Sequence, residues 1–342
     1  MGTPNRHLAL LAARELFAVD GRAFTWADVV LAELARGGWP ELEARARSGL
    51  AAQRRLSATG AELQAGETTE AARRFRYERD LLAAEDLEAW LERWSISLAE
   101  WSDYLRRDVL RGRSTGVSGA DVPPEEVAAA IGVEAICSGS LERGARRLAT
   151  EAALAGPDLA EATADVDPAA AAELLGLAVE LCAERLEVVA GVAAAAEAAA
   201  SEIASESAVE RELAMHRLDW LLIDVEVLEV ENEDAAREAL LCVASDGLEL
   251  ADVAAQAGSQ LRRRSLTLTD APDWLAPHLL GVEEGSVLGP LRHAEGFAVV
   301  SVVSRRAPSA ADPETRRRAE TALLERASQN LLAAKVEWRE RL

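Results

Sequence analysis

Apolar residues recur at three- and four-residue steps along most of the chain, which is the spacing of one face of an α-helix. In residues 70–94 that face is formed by Phe75, Leu82, Leu87, Trp90, Leu91 and Trp94. Together with Trp101, the tryptophans among them are consistent with either the core of a helical domain or the lining of a groove. From Asp167 to Arg217 the pattern is long, Ala-rich and helical, which predicts an arm or spacer packed on one side.

The period changes near Leu218, where apolar residues begin to alternate as in a β-strand. Strands are predicted at Leu218–Val230, Leu261–Thr269, Val287–Arg292 and Phe297–Val303, with a turn at His293–Gly296. Helices are predicted between them from Asn232 to Ala244, Leu248 to Gly258 and Asp273 to Leu280. The resulting order is β-α-α-β-α-β-β around a four-stranded sheet.

The last segment, from Asp312 to Leu342, is predicted to be one helix because Leu324, Leu331 and Trp338 fall seven residues apart. The chain therefore divides into four predicted segments. They are a helical module at 1–122 that ends in a Gly/Ser-rich loop (112–122), a helical insertion at 123–217, a sheet domain at 218–307 and a C-terminal helix at 308–342. The predicted fold class is α+β, predominantly α.

Composition narrows the choice of partners. The 342 residues include 59 acidic and 37 basic side chains, a formal net charge of -22. A field of that sign repels phosphate backbones and anionic lipid, so neither nucleic acid nor a membrane is a predicted partner. No run of about 20 uncharged apolar residues is present, and Arg14 and Glu15 break the N-terminal apolar run that a signal peptide needs. Three widely separated cysteines do not form a disulfide framework, and we expect a cytoplasmic protein.

Several kinds of chemistry are excluded by the residues present. Lys335 is the only lysine and follows no glycine loop, which argues against a P-loop, a Schiff base or a kinase site. The sequence has no nucleophile elbow, zinc-protease motif or dinucleotide fingerprint. The four histidines have no ligand spacing with cysteines or acids. We therefore expect no metal and no cofactor.

The closing segment of the sheet domain resembles the end of a parvulin-type peptidyl-prolyl isomerase domain. That family has Gly-x-Val-x-Gly-Pro on one strand, followed by a Gly-aromatic turn into the last strand. The matching residues here are Gly285, Val287, Gly289, Pro290, Gly296, Phe297, Val299, Val300 and Val302. Leu250 and Ala254 match the family's second helix. A generic α+β domain with a glycine-rich hairpin is the alternative.

The N-terminal half resembles the helical module of SurA-like chaperones. In those proteins a helix that follows the isomerase domain returns to complete the N-terminal module, and Thr315–Leu342 is amphipathic enough for that role. Within this group the chain looks most like cytoplasmic isomerase-related proteins associated with the maturation of modified peptides.

The chain departs from active parvulins at three places. Ala298 stands where the last strand usually carries a histidine, and Leu218–Val230 contains no histidine. The family's glycine segment is replaced by Ser259-Gln-Leu-Arg-Arg-Arg264. Because rotation about a peptide bond has a barrier of about 18–20 kcal/mol, its catalysis needs a preorganised polar network. The resemblance thus implies a frame that binds peptide without catalysis.

Three functions are compatible with the sequence. The first is a non-catalytic chaperone that binds a peptide or an unfolded protein segment, or an accessory to a peptide-modifying enzyme. The second is an active isomerase with altered residues, and the third is a purely structural helical adaptor.

The peptide-binding residues predicted from the resemblance lie around the short helix before the closing hairpin. They are Trp220, Trp274, Leu275, Leu279 and Phe297, together with the basic triplet Arg262, Arg263 and Arg264. Aromatic side chains give apolar contact at low entropy cost, and arginines hold acidic peptides by bidentate contacts. In the alternative interpretation the aromatic residues form a small core and the arginines a solvated loop.

Overall fold

The computed structural model describes residues 4–60, 63–113 and 121–340. The chain forms two compact units, one made of Met1–Ser201 with Ala327–Leu342 and the other of Glu202–Arg326. These divisions differ from the predicted boundaries, because residues from 123 to 201 share one core with the N-terminal residues, as Leu148 and Leu186 do. Most of the predicted loop at 112–122, namely residues 114–120, lies outside the described ranges.

The first unit is mainly helical. Its elements are α1 (Arg6–Ala12), β1 (Glu15–Val19), β2 (Arg22–Thr25), α2 (Trp26–Ala35), α3 (Trp39–Thr59), α4 (Ala65–Glu78), α5 (Ala84–Arg93), α6 (Leu98–Arg113), α7 (Pro124–Cys137), α8 (Ser140–Ala155), α9 (Pro168–Leu175), most of α10 (Val179–Ile203) and, beyond the second unit, the end of α15 (Pro313–Lys335) with β7 (Val336–Trp338). Thr25 caps α2, and its backbone N–H donates to Asp28 Oδ2 at 2.6 Å.

A three-stranded sheet in the order β2-β1-β7 was not predicted from the sequence. Asp20 and Gly21, both with positive φ, make the tight turn between β1 and β2. β7 pairs antiparallel with β1, so that Phe17 lies opposite Trp338. The prediction of one helix through to the end of the chain is therefore wrong after Lys335, where the backbone extends to add a third strand.

The core of the first unit is rich in aromatic rings. Trp26 and Trp94 meet edge to face with 5.0 Å between ring centroids, and Phe75 meets Trp90 at 5.2 Å. Trp90, Trp94 and Trp101 are all buried. The structure thus assigns these tryptophans to the core and not to a groove.

The second unit contains the predicted sheet domain. Its elements are α11 (Glu206–Met215), β3 (Leu222–Val230), α12 (Glu233–Ala244), α13 (Leu250–Gln256), β4 (Leu261–Leu266), α14 (Ala276–Leu279), β5 (Val287–His293), β6 (Gly296–Arg306) and most of α15. All neighbouring strands are antiparallel, in the order β4-β3-β6-β5. The predicted β-α-α-β-α-β-β order is confirmed, as is the predominantly helical α+β class.

Each face of this sheet packs its own small core. On the α14 face, defined here as the side that α14 covers, Val225, Val227 and Val300 pack with Leu275 and Leu279. On the opposite side, the α12 face, Leu228 and Val299 pack with residues of α12 and α13. Successive strand residues point to opposite faces, so the register fixes which side chains share a surface.

Candidate functional site

The structure distributes the predicted peptide-binding residues over three clusters. Leu275 and Leu279 are buried on the α14 face, and Trp274 packs against them partly exposed. Phe297 packs on the α12 face. Trp220 belongs to a separate cluster with Val209, Leu213 and Ala319. Of the five apolar residues predicted around the short helix, the structure therefore brings only Trp274, Leu275 and Leu279 together.

Trp220 is displaced because it precedes β3 instead of lying on it. Its ring stacks on His216 at the end of α11, with centroids 4.5 Å apart. Its backbone N–H donates to the His216 carbonyl at 2.9 Å. Local helical geometry therefore directs Trp220 towards α11 and α15, away from the sheet.

Ala298 lies in the middle of the α14 face and is fully buried. Its neighbours across the sheet are Glu229 on β3 and Leu291 on β5. The position at which the resemblance implies a histidine is thus filled by a methyl group. Any polar chemistry at this point has to come from the neighbouring strands.

An ion pair lies beside Ala298 on the β3 side. Arg262 of β4 approaches Glu229 with 3.0 Å between Nη1 and Oε2. The Glu229 side chain is 26% exposed and that of Arg262 is 50% exposed, so this is a surface pair of small net energy. It places one carboxylate and one guanidinium at the rim of the face.

An aromatic pair lies on the β5 side. The rings of Trp274 and His293 have centroids 5.3 Å apart. The Glu295 backbone N–H donates to His293 Nδ1 at 3.4 Å, so the neutral ring carries its proton on Nε2. Nε2 is buried and finds no hydrogen-bond partner among the residues described.

The sequence prediction missed Glu229, Leu291 and His293. The signal that identifies Leu291 and His293 is the alternation of β5 and β6 through the predicted hairpin. Leu291 and His293 are two residues apart on one strand, and the register sets them opposite Ala298 and Gly296. The same rule places Phe297, next to Ala298, on the other face.

The three arginines form part of strand β4 and are all exposed. Arg262 and Arg264 lie opposite Val227 and Val225, hence on the α14 face, while Arg263 lies opposite Glu226 on the α12 face. Arg263 Nε donates to Glu226 Oε1 at 2.8 Å. Arg264 has no hydrogen bond or ion pair within the described part of the chain.

A polar network on the α12 face closes the other end of the sheet. The Ser304 hydroxyl donates to Asp224 Oδ2 at 2.5 Å, and Arg306 Nη2 approaches the same oxygen at 3.1 Å. The hydrogen bond from Ser304, helped by Ser265 and by the charge of Arg306, lowers the pKa of Asp224. These contacts join β3, β4 and β6, and they have a structural role.

The first unit contains a pocket of about 640 Å³. Arg45 and Arg111 line it, and both guanidinium groups reach the buried carboxylate of Glu134, at 2.7 and 3.1 Å. Both also pair with Asp108. Because these charges are balanced within the protein, the pocket offers weaker attraction to a charged ligand than its arginines suggest.

Within residues 4–60, 63–113 and 121–340, no group of three or more His, Cys, Asp or Glu side chains could hold a metal ion. No single helix there is long and apolar enough to cross a membrane, although one consecutive pair, Val179–Ile203 with Glu206–Met215, meets the same length and composition test. Cys137, Cys182 and Cys242 are free thiols.

No protein-family model matches the chain, and no curated protein matches it. Among solved structures it is similar to the peptidylprolyl isomerase PrsA from Bacillus anthracis, at 13% identity and a TM-score of 0.25, over 46% of this chain and 74% of that one. It is also similar to a structure reported for PEB4 and Cj1289, two SurA-like chaperones of Campylobacter jejuni, at 10% identity and a TM-score of 0.20, over 96% and 100% of the two chains. The foldase protein PrsA from Streptococcus pneumoniae matches at 10% identity and a TM-score of 0.26, over 93% and 90%.

Superpositions with these TM-scores assign no residue of this chain to a residue of those proteins. The fold is instead defined by its own topology. The strand order, the two helices between β3 and β4 and the short helix before the closing hairpin are those that the parvulin resemblance implies. The chain therefore has a predominantly helical architecture with a small β-α-α-β-α-β-β sheet domain.

Proposed function

We propose that this protein is a chaperone-like peptide-binding protein that holds an extended or unfolded segment on the α14 face without catalysing prolyl isomerisation. The surroundings of Ala298 are the observation that carries the proposal. A buried methyl group replaces the polar centre, while binding groups remain on both sides of it.

Each of these groups suits a peptide. Trp274 is partly exposed and offers a rigid apolar surface to a proline or another apolar side chain. Glu229 and Arg262, at the rim, can exchange their mutual contact for backbone or side-chain contacts of a ligand.

Catalysis is disfavoured by the same arrangement. Prolyl isomerisation has to overcome a barrier of about 18–20 kcal/mol, and lowering it depends on polar groups fixed around the rotating bond. Ala298 supplies no such group, and the Glu229 carboxylate is already neutralised by Arg262.

Two measurements test the proposal together. Fluorescently labelled proline-containing apolar peptides are titrated with the protein, and the same peptides are used in a protease-coupled isomerisation assay. We expect saturable binding and no acceleration above the uncatalysed rate. Acceleration comparable with that of an active parvulin would overturn the non-catalytic proposal. Absence of any peptide binding would also overturn it and would favour the third function, a structural helical adaptor.

His293 favours the active isomerase as the second candidate, because it places an imidazole on the α14 face beside Leu291. In that case His293→Ala would abolish the acceleration while peptide binding is largely retained. An exposed histidine, His278, provides the matched control, since its replacement by alanine should leave the rate unchanged.

We also propose a cellular role in the cytoplasm, as an accessory to a peptide-modifying enzyme in the maturation of a modified peptide. The support is the sequence resemblance. Genes for a precursor peptide and a modifying enzyme beside this one, and co-purification with that enzyme, are the expected findings. Recovery of the protein outside the cytoplasmic fraction would contradict it.

A further inference from the structure

The two edges of the four-stranded sheet differ in their capacity to accept another strand. On the β5 edge, Pro290 lacks an N–H donor and the register with β6 shifts between Leu288 and Leu291. On the β4 edge, six consecutive residues from Leu261 to Leu266 pair with β3 without a shift. Every second residue of a regular edge strand has its N–H and C=O directed away from the sheet, so β4 is open to pairing.

The charge on β4 selects among the strands that could pair there. Arg262 and Arg264 are two residues apart on the same face, at a spacing of about 6.6–7 Å. Arg262 is partly satisfied by Glu229, whereas Arg264 has no partner within the described part of the chain. On a chain with a net charge of -22, this is a local cationic strip beside a free backbone edge.

From this juxtaposition we propose that β4 binds an extended acidic peptide segment as an added strand, with carboxylates at alternate positions facing Arg262 and Arg264. Backbone hydrogen bonds to β4 hold the segment, and the two arginines select Asp or Glu at positions i and i+2. The inference rests on the proposed function, since it specifies how the same sheet domain engages a client.

The first experiment measures the affinity of a labelled peptide of alternating Glu and Val by fluorescence anisotropy. Two versions carry N-methyl groups on alternate backbone nitrogens, in one or the other register. We expect one version to lose at least about tenfold in affinity and the other to stay within about threefold, because an added strand uses only every second N–H. Equal affinities of the two versions would overturn strand addition.

The second experiment tests the charge. Arg264→Glu should weaken the alternating-Glu peptide by about tenfold and reduce the salt dependence of its binding. The matched control is Arg292→Glu, which makes the same change of charge at an exposed position on the opposite edge strand and should alter affinity less than about twofold. Equal weakening by both variants would show a general field effect and contradict a role for β4.

Failure of this inference is distinguishable from failure of the proposed function. Binding of proline-containing apolar peptides without binding of the alternating-Glu peptide would overturn the β4 inference alone. Self-association of the protein that Arg264→Glu abolishes, with no peptide bound at β4, would assign the edge to a second copy of this chain and also overturn it. Absence of binding for all of these peptides would overturn both the β4 inference and the proposed function.

Discussion

The two units use their side chains in different ways. The first unit packs Phe17, Phe24, Trp26, Trp90 and Trp94 into one continuous core. The second unit divides thinner, mainly aliphatic cores between the two faces of one sheet and leaves a charged strand at its edge. We propose a division of roles, in which the first unit supplies most of the stability and the second offers the surfaces that bind.

The largest expected effect comes from the centre of the first unit. Phe17 is fully buried, stacks on Phe24 at 4.9 Å and contacts Trp338 at 5.3 Å. Phe17→Ala should lower the free energy of unfolding by about 3–5 kcal/mol, measured by urea denaturation with tryptophan fluorescence. Phe297→Ala, the same substitution at a half-buried site in the second unit, should cost about 1–2 kcal/mol less. A loss of unfolding free energy for Phe297→Ala that equals or exceeds the loss for Phe17→Ala would contradict this difference between the two units.

Removal of residues 336–342 should have the next largest effect. It deletes β7 and the contact of Arg14 with Glu340, at 2.8 Å. With about 0.5–1.5 kcal/mol for each net hydrogen bond lost, we expect a destabilisation of about 2–3 kcal/mol, seen as a lower urea midpoint. Arg339→Ala keeps the strand and is the control, with an expected change below about 0.5 kcal/mol. An unchanged urea midpoint in the truncated protein would show that β7 contributes nothing to the stability of the first unit.

Alkaline pH distinguishes the buried groups of the first unit from exposed ones. Burial, reinforced by the charge of Glu134, raises the pKa of Tyr104 to about 12 from an ordinary value of 10.0. Because the unfolded chain ionises first, stability is lost as pH rises from 10 towards 12, by about 1.4 kcal/mol at pH 11. The free energy of unfolding is measured by urea titration at pH 9 and at pH 11. Tyr104→Phe should lose about 1.4 kcal/mol less stability between these two pH values than the unsubstituted protein. Tyr77 is 73% exposed, so Tyr77→Phe should follow the unsubstituted protein, and identical pH profiles for all three would contradict the prediction.

The smallest expected effect concerns binding by the second unit. Trp274→Ala should reduce the affinity for a proline-containing apolar peptide by about fivefold, equivalent to about 1 kcal/mol, while the melting temperature changes little. Phe297 lies on the opposite face, and Phe297→Ala should leave that affinity within about twofold. If the two variants weaken binding equally, the α14 face is not the binding surface.

Local patterns predicted the sheet domain well. Alternating apolar residues defined its four strands. The helix predicted from Asn232 to Ala244 is α12, which Asn232 caps with its Oδ1 accepting from the Ala235 N–H at 2.8 Å. The β1–β2 hairpin was missed although Asp20-Gly21 is a strong turn signal. β7 was beyond local inference, because Ala-rich sequence before it favours helix and its partner strand lies more than 300 positions away along the chain.

In the candidate site, local sequence patterns also failed to predict which side chains lie together. The resemblance grouped Trp220, Phe297 and Trp274, but the helical turn before β3 and the alternation of β6 place them in three separate clusters. Strict alternation would have assigned Phe297 to the face opposite Ala298. The contact between Trp274 and His293 depends on how the segment before α14 folds over the sheet, and neither propensity nor alternation specifies that packing.

Strand β7 has a consequence for the order in which the protein is made. Strand β1 can pair with β2 as soon as the ribosome releases the first hairpin, but its other edge stays open until Val336–Trp338 emerge. While the more than 300 residues between the two strands are being synthesised, the nascent chain therefore exposes an apolar strand edge at Phe17–Val19, of the kind that pairs with other strands. We propose that the folded protein binds unfolded segments of other chains, and its own strand β1 is such an exposed segment until β7 has been synthesised.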